Sequence, residues 1–361
     1  MNKIELMNLA FSLAVKGGIK TFPNPNVGAL IFKNGKVIGS GYHRFFGDYH
    51  AEIHALNQAG ENAKDATMFV TLEPCSHYGK TPPCVDAIIR AGIKKVFIGM
   101  QDPNPLVFGK GIEILRRNNI EVEVGILKSK ARKFYEDYSK RFSKKNSYVV
   151  LKYAMTLDGK IATFTGDSKW ISSEKSRAWV HQLRSKFDGI LVGVNTIIKD
   201  NPELSSHGKG KNPVRIILDP ELEIPLKSKV IQDDLTTIIV HSNPDKKQKI
   251  KRIQKRGKFL LHIESKNGMI DFKRIIDELR KISIFSILIE GGGLTSWTAL
   301  KNNVVDEIIT FISPKIIGGQ NAISPVEGEG IDKISKAIKT KIMDFKKIDD
   351  DILIISKVIK S

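Results

Sequence analysis

TLEPCSHYGKTPPC, residues 71–84, holds the only two cysteines of a 361-residue chain, and the role given to them decides the fold. A disulfide suits an oxidising compartment, and nothing near the start reads as an export signal. The apolar tract LAFSLAV, 9–15, follows Glu5 and Asn8 and lacks a small-x-small cleavage site. It puts Leu6, Ala10 and Leu13 on one face, as expected of an amphipathic first helix in a cytoplasmic protein. In that setting the thiols are packing residues or ligands. Cys75 follows LEP at the end of an expected strand, and Cys84 follows TPP, where proline favours a first helical turn. A helix start also favours thiolate. Two cysteines so placed can converge on one point, a geometry that suits zinc.

A catalytic zinc takes three protein ligands and keeps one position open. YHAEIHAL, 49–56, supplies His50 and His54 with Glu52 between them. The metalloprotease pattern H-E-x-x-H has Glu directly after the first His, which excludes that reading here. His-x-Glu with a later Pro-Cys and a further Cys is the zinc-deaminase arrangement, in which His and two Cys hold the metal and Glu moves protons. His50, Pro74, Cys75 and Cys84 fit it, with Glu52 taking a proton from water and delivering it to a departing amine. His54 is the rival third ligand. Only His50 stands two residues before the Glu, so His54 reads as a packed helix residue. Eight residues separate the cysteines, against two in the P-C-x-x-C of the usual nucleoside and nucleic-acid deaminases.

Around this stretch the chain reads as α/β. Asn34-Gly35 between VGALIFK and KVIGSGY signals a two-residue hairpin turn. Strands TMFVTLE, KKVFIGM and IEVEVGI then alternate with helices HAEIHALNQAGENA, PCVDAIIRAG and GIEILRRNN, which implies a largely parallel sheet covered on both faces. The charged segment 128–147 reads as the connection to a second domain, as the chain length requires. From YVVLKYAM onward come GILVGV, VRIILD, TTIIVH, FLLHI, SILIE, EIITFI and ILIISKV, a second α/β sheet ending in antiparallel strands.

SHYGKTPP, 76–83, resembles the P-C-S-H-x-G-x-T-P-P-C loop of the bifunctional riboflavin-biosynthesis deaminase/reductase family. The resemblance runs through TFPNPNVGALI (21–31), GYH (41–43), HAEIHAL (50–56) and MQDPNPLVFGKGI (100–112). It continues through LKYAMTLDGKIA (151–162), GDSKWISS (166–173), GVNTIIKDNPEL (193–204) and LIEGGGLTSW (288–297). It implies a cytidine-deaminase-like αβα sandwich with zinc over 1–146 and a dihydrofolate-reductase-like, NADPH-dependent domain over 147–361. The implied substrate is a diaminopyrimidinone carrying a phosphoribosylamino chain, deaminated first and then reduced to the ribityl compound. A dimer or tetramer is implied as well.

By the same resemblance, Ala154, Trp170, Thr196, Asp200 and the run Gly292, Gly293, Leu294, Thr295, Ser296, Trp297 and Thr298 lie near NADPH. Ser168, Arg184, Leu204 and Glu290 surround the reductase substrate, with Arg184 a clamp for phosphate oxygens. Asn24, His43, His77, Lys80, Asp102 and Asn104 line the pyrimidine pocket. Where the family has an Arg, this chain has ELSSHGKGK, 203–211, so His207, Lys209 or Lys211 is the stand-in for a phosphate contact. Read by itself, IEGGG before a helix offers free amides to an anion. Gly291, Gly293 and Ser296 miss the last glycine of G-x-G-x-x-G, which argues against a Rossmann dehydrogenase.

The net charge of +19 raises nucleic acid as a partner. The densest basic cluster, PDKKQKIKRIQKRGK at 244–258, has no aromatic residue for base stacking and reads as a solvated helix face. Two other readings are a tRNA adenosine deaminase with an RNA-binding half and a non-catalytic zinc scaffold. The long cysteine spacing argues against the first. Glu52 argues against the second, since a scaffold has no use for it.

Overall fold

In a computed structural model, which describes residues 1–21, 24–78, 82–142, 147–266 and 269–360, Asn34 and Gly35 take left-handed φ angles of 49° and 78°. That is the conformation a two-residue hairpin turn demands, and it pairs β1 (Gly28–Lys33) with β2 (Lys36–Tyr42). Before them runs α1 (Lys3–Val15), capped by the Asn2 side chain on the Ile4 and Glu5 amides. After them come α2 (Ala51–Ala59), β3 (Thr67–Val70), α3 (Cys84–Arg90), β4 (Lys95–Ile98), α4 (Lys110–Arg117), β5 (Glu121–Val124), α5 (Lys128–Phe134) and α6 (Glu136–Lys140). These belong to a unit spanning Met1–Lys145; a second spans Asn146–Ser361.

The first sheet has the order β2-β1-β3-β4-β5. It is mixed where the pattern predicted a largely parallel one: β1 is antiparallel to both β2 and β3, while β3, β4 and β5 run parallel. The hairpin turn sets this, because it reverses the chain before any helix intervenes. Alternate residues face opposite layers. Ala29 and Ile31 pack with Val85, Ile88 and Leu115 of α3 and α4, and Leu30 packs with Leu6, Met7 and Phe11 of α1. Each such buried aliphatic side chain contributes about 1.5–3 kcal/mol. The segment expected to be a mere connection is part of this second layer. Ala131 and Tyr135 are buried against α1, and the Tyr135 hydroxyl lies 2.6 Å from Thr71 Oγ1 and 2.9 Å from Asn26 O.

The second unit contains β6 (Tyr148–Thr156), α7 (Glu174–Arg184), β7 (Gly189–Gly193), α8 (Val194–Asp200), β8 (Val214–Leu218), α9 (Lys229–Gln232), β9 (Thr237–His241), α10 (Lys247–Gln254) and β10 (Phe259–His262). It continues with β11 (Ser265–Lys266), β12 (Met269–Ile270), α11 (Phe272–Lys281), β13 (Ser286–Glu290), α12 (Gly293–Lys301), β14 (Glu307–Ser313), β15 (Thr340–Ile348) and β16 (Asp351–Val358). Its main sheet has the order β10-β9-β8-β7-β13-β6-β14-β16-β15. The strands run parallel from β10 to β14, and β16 and β15 add antiparallel edges. All eight strands expected in this half are present; β11, β12 and β15 are additional. α10 buries only Ile253, as a solvated basic helix should. Among the described residues no helix is long and apolar enough to cross a membrane.

Candidate functional site: a thiol–imidazole centre and a reductase cavity

His50 is the N-cap of α2, Cys84 opens α3, and Cys75 sits in the loop after β3. His50 Nδ1 lies 3.2 Å from Cys84 Sγ and 3.4 Å from Cys75 Sγ. The Cys84 amide donates to Cys75 Sγ at 3.3 Å, the helix-start interaction that favours a thiolate. Hydrogen bonding from Cys84 outweighs burial and, with His50, brings Cys75 down to about 4. The same hydrogen bond, with burial, pushes Cys84 well above the usual thiol range. Burial pulls His50 down, but its hydrogen bond to Cys75 and the charges of Glu52 and Cys75 raise it to about 8.

Glu52, in the first turn of α2, is buried, and burial pushes its carboxyl up to about 7. It interacts with Cys84, yet its Oε2 has no hydrogen-bond partner. The ligand atoms of His50, Cys75 and Cys84 lie within 4.8 Å of one another, and no other such trio of His, Cys, Asp or Glu occurs among the described residues. One imidazole nitrogen and two thiol sulfurs at this separation, beside a buried carboxylate oxygen in need of a partner, fit zinc with a working position left open. His54 faces elsewhere: its Nε2 lies 3.1 Å from Asp48 Oδ2.

Around the trio, His43 is buried with its ring 5.2 Å from that of His50. Asn24 Nδ2 lies 3.2 Å from His43 Nε2, and His43 Nδ1 lies 3.0 Å from Tyr49 O. The amide can only donate and the carbonyl can only accept, which gives a neutral ring protonated on Nδ1. Burial lowers the pKa of His43 accordingly. Asp102 is buried and raised to about 7, by desolvation first and then by the charges of Glu73 and Cys75. Its Oδ1 accepts from the Asn104 amide at 2.8 Å and from the Tyr138 hydroxyl of α6 at 3.1 Å. Asn104 Oδ1 caps Leu106 N at 3.1 Å. His77 is exposed, and Lys80 lies outside the described residues.

Sequence reasoning missed the residue that holds this loop. Glu73 accepts from the amides of Asp102, Gly109, Gly111 and Ile112 at 3.0–3.3 Å, tying the end of β3 to the start of α4. Its place in LEPC, two residues before Cys75, was the available signal. Tyr138 was missed because its segment read as a connection.

In the second unit a cavity of about 880 Å³ is bordered by β6, β7, β13 and the starts of α8 and α12. Ala154, Trp170, Thr196, Asp200, Gly292, Gly293, Leu294, Thr295 and Thr298 line it, as do Ser168, Arg184, Leu204, His207 and Glu290. Ser296 and Trp297 do not; they are the buried face of α12, with Ser296 Oγ on Gly292 O at 3.3 Å. A Cβ on Gly293 would come within 2.6 Å of Ser324 O, whereas one on Gly292 would meet nothing within 4 Å. Gly293 is thus a packing glycine and Gly292 an open approach. Gly292 caps α12 without a side-chain hydrogen bond, so first-turn amides are free for anionic oxygens, which fits a dinucleotide phosphate.

Arg184 proves less free than a clamp should be. Its Nε and Nη2 donate to both oxygens of Glu290 at 2.8 and 3.0 Å, and Nη1 donates to Ser205 O at 3.1 Å. Glu290 also has Lys152 Nζ at 3.8 Å. Burial alone would raise the Glu290 carboxyl, but Arg184 and Lys152 bring it down to about 2. Burial lowers Lys152. Lys152 and His181 line the cavity and were not singled out from the sequence. Spacing could have found both: Lys152 is two residues from Ala154 on a strand, and His181 three from Arg184 on a helix.

A thiol–imidazole centre with a buried carboxylate in the first unit, and in the second an α/β sheet with a cavity fitted to a dinucleotide phosphate, define a zinc deaminase joined to a reductase. Residues 1–100 match the cytidine and deoxycytidylate deaminase zinc-binding region, and residues 147–354 match the RibD C-terminal domain. The riboflavin biosynthesis protein RibD of Aquifex aeolicus is 45% identical over 97% of both chains. Acinetobacter baumannii RibD superposes with a TM-score of 0.84 at 34% identity, covering 99% of both chains. A Thermotoga maritima structure described as a diaminohydroxyphosphoribosylaminopyrimidine deaminase/5-amino-6-(5-phosphoribosylamino)uracil reductase superposes at 0.75 with 35% identity, covering 99% of this chain and 98% of that one. This chain belongs to the RibD family of bifunctional riboflavin-biosynthesis enzymes, with a cytidine-deaminase-like first domain and a dihydrofolate-reductase-like second. Zinc and NADPH are the cofactors of this pair of domains.

Proposed function

We propose that the chain deaminates 2,5-diamino-6-(5-phosphoribosylamino)pyrimidin-4(3H)-one and then reduces the product to 5-amino-6-(5-phosphoribitylamino)uracil. The observation that carries the first step is the unpartnered Glu52 Oε2 beside His50, Cys75 and Cys84. Those three residues would hold zinc, which when bound supplies the Lewis acidity that makes water a nucleophile at neutral pH. Glu52, whose carboxyl burial pushes up, takes a proton from water as the water oxygen bonds to C2 and passes it to the 2-amino group, so the C–N bond breaks and ammonia leaves. Asn24, His43, His77, Asp102 and Asn104 line the pocket for the ring, and Lys80, outside the described residues, is the contact for the ribose phosphate.

For the second step Ala154, Trp170, Thr196, Asp200 and the start of α12 would hold NADPH, which when bound supplies the hydride. Ser168, Leu204 and His207 seat the phosphorylated chain, and Arg184 fixes Glu290 at the reacting end. The boundary between the two activities falls at residues 146–147. Glu52→Gln tests the assignment: zinc content and NADPH oxidation with the deaminated substrate persist, while ammonia release from the diaminopyrimidine is abolished. Retained ammonia release defeats the mechanism.

We further infer that the enzyme acts in the cytoplasm on this small molecule, not on nucleic acid, and as a homo-oligomer, a dimer or tetramer. β15 supports the last point. It is a sheet edge with Ile342, Met343 and Phe345 exposed, and an antiparallel edge can pair with its own copy about a two-fold axis. Phe345→Lys should shift the sedimenting species toward monomer; an unchanged profile removes β15 from the interface.

A further inference from the structure

The charge of Arg184 is already neutralised by Glu290 in a two-toothed ion pair, so the positive charge for a phosphorylated substrate must come from elsewhere on the same wall. The neighbouring groups on that wall are Lys152, which shares Glu290 with Arg184, and two histidines. The rings of His181, on α7, and His207, in the loop after α8, lie with centroids 4.1 Å apart and planes tilted by 52°, and both line the cavity. His181 Nδ1 is buried without a hydrogen-bond partner, so a ligand group that pairs with it offsets the cost of its desolvation.

The loop that presents His207 is held from several sides. Leu204 and His207 take left-handed φ angles of 53° and 47°. The Ser206 amide donates to Asn212 Oδ1 at 2.8 Å, and the buried Arg215 donates through Nη1 to Glu203 O at 3.1 Å.

We propose that His181 and His207 form a proton-coupled anion seat, in which binding of the substrate's phosphate dianion draws a proton from solvent into the adjoining imidazole pair. This rests on the reductase reading above. Two imidazoles with ring centroids 4.1 Å apart resist charging while cations surround them. The groups facing the pair are Arg184 from α7, Lys152 from β6, Glu290 from β13, and Glu203, which is 3.8 Å from His207 Nδ1 and also paired with Lys229 of α9. Burial, Arg184, His207 and Lys152 hold His181 low, at about 4, against the pull of Glu290, so it is neutral when nothing is bound. A phosphate monoester loses its second proton near pH 6. Above that pH it brings two negative charges to the pair, and one added proton converts a neutral ring into a charge-assisted donor.

The test is calorimetric titration of ribose 5-phosphate into the full chain at pH 8, with saturating NADP⁺ to keep phosphate off α12. Running it in two buffers of different ionisation enthalpy reads the proton count. The expected result is net uptake of about half to one proton per site in the wild type and none in His207→Arg, with His181→Gln binding more weakly and taking up less. Absence of binding, absence of uptake, or equal uptake in wild type and His207→Arg overturns the proposal. NADPH oxidation by the same preparation on the deaminated substrate is scored separately: its absence defeats the reductase reading, whereas oxidation without proton uptake defeats only the seat.

Discussion

In the N-terminal unit, one imidazole and two thiols from two helix starts and a loop lie within 4.8 Å of one another, satisfied largely by one another. In the C-terminal unit, the groups around Glu290 come from β6, α7, β13 and the loop after α8, spread along a cavity of about 880 Å³. The first arrangement concentrates its chemistry on one point and depends on ligand identity. The second distributes charge over a wall and depends on balance, since Glu290 keeps its low pKa only while Arg184 and Lys152 face it. Damage should therefore read differently: loss of one metal ligand removes an activity outright, whereas loss of one wall charge also loosens the fold.

The sharpest break is Cys84→Ser. Mutating groups that merely support zinc ligands costs about 10–100-fold, so removing a ligand itself should lower ammonia release by more than a hundredfold, with zinc loss seen by metal analysis and NADPH oxidation intact. Deamination near the wild-type rate would dissolve the contrast. Next comes Arg184→Ala, which strands the nearly buried Glu290. It should destabilise the C-terminal unit by about 3 kcal/mol in thermal unfolding and impair reduction while ammonia release persists.

That stability difference should itself depend on acid. The Glu290 carboxyl falls from 4.5 to about 2 on folding, so its contribution is complete above pH 4.5 and is lost as pH drops toward 2. The margin of wild type over Arg184→Ala should shrink across that window. A constant margin would mean the ion pair contributes little.

The same contrast explains what could be read from the amino acids alone. Zinc chemistry demands particular residue types at particular spacings, so His50, Glu52, Cys75 and Cys84 stood out, and Asn34-Gly35 fixed the first hairpin. Charge balance makes no such demand. Lys152 and His181 look like any lysine in a strand and any histidine in a helix, and Arg184 could be placed at the site but not paired with Glu290. β15 was invisible because neither face is buried, so it lacks the period-two alternation that marks a strand. The 128–147 segment misled because its charged residues mask Ala131, Tyr135 and Tyr138, whose burial depends on α1 and Asp102.

That last segment has a consequence for synthesis. Tyr135 bridges Thr71 and Asn26, and Tyr138 holds Asp102, so the deaminase unit cannot close its hydrogen bonds until residues well past its last strand have been made. A nascent chain halted after β5 on the ribosome carries the metal ligands and the whole first sheet, yet leaves Phe11 without the rings of Phe134 and Tyr135 that pack on it. The final turns of α5 and α6 therefore time the moment at which the growing polypeptide becomes a finished catalyst.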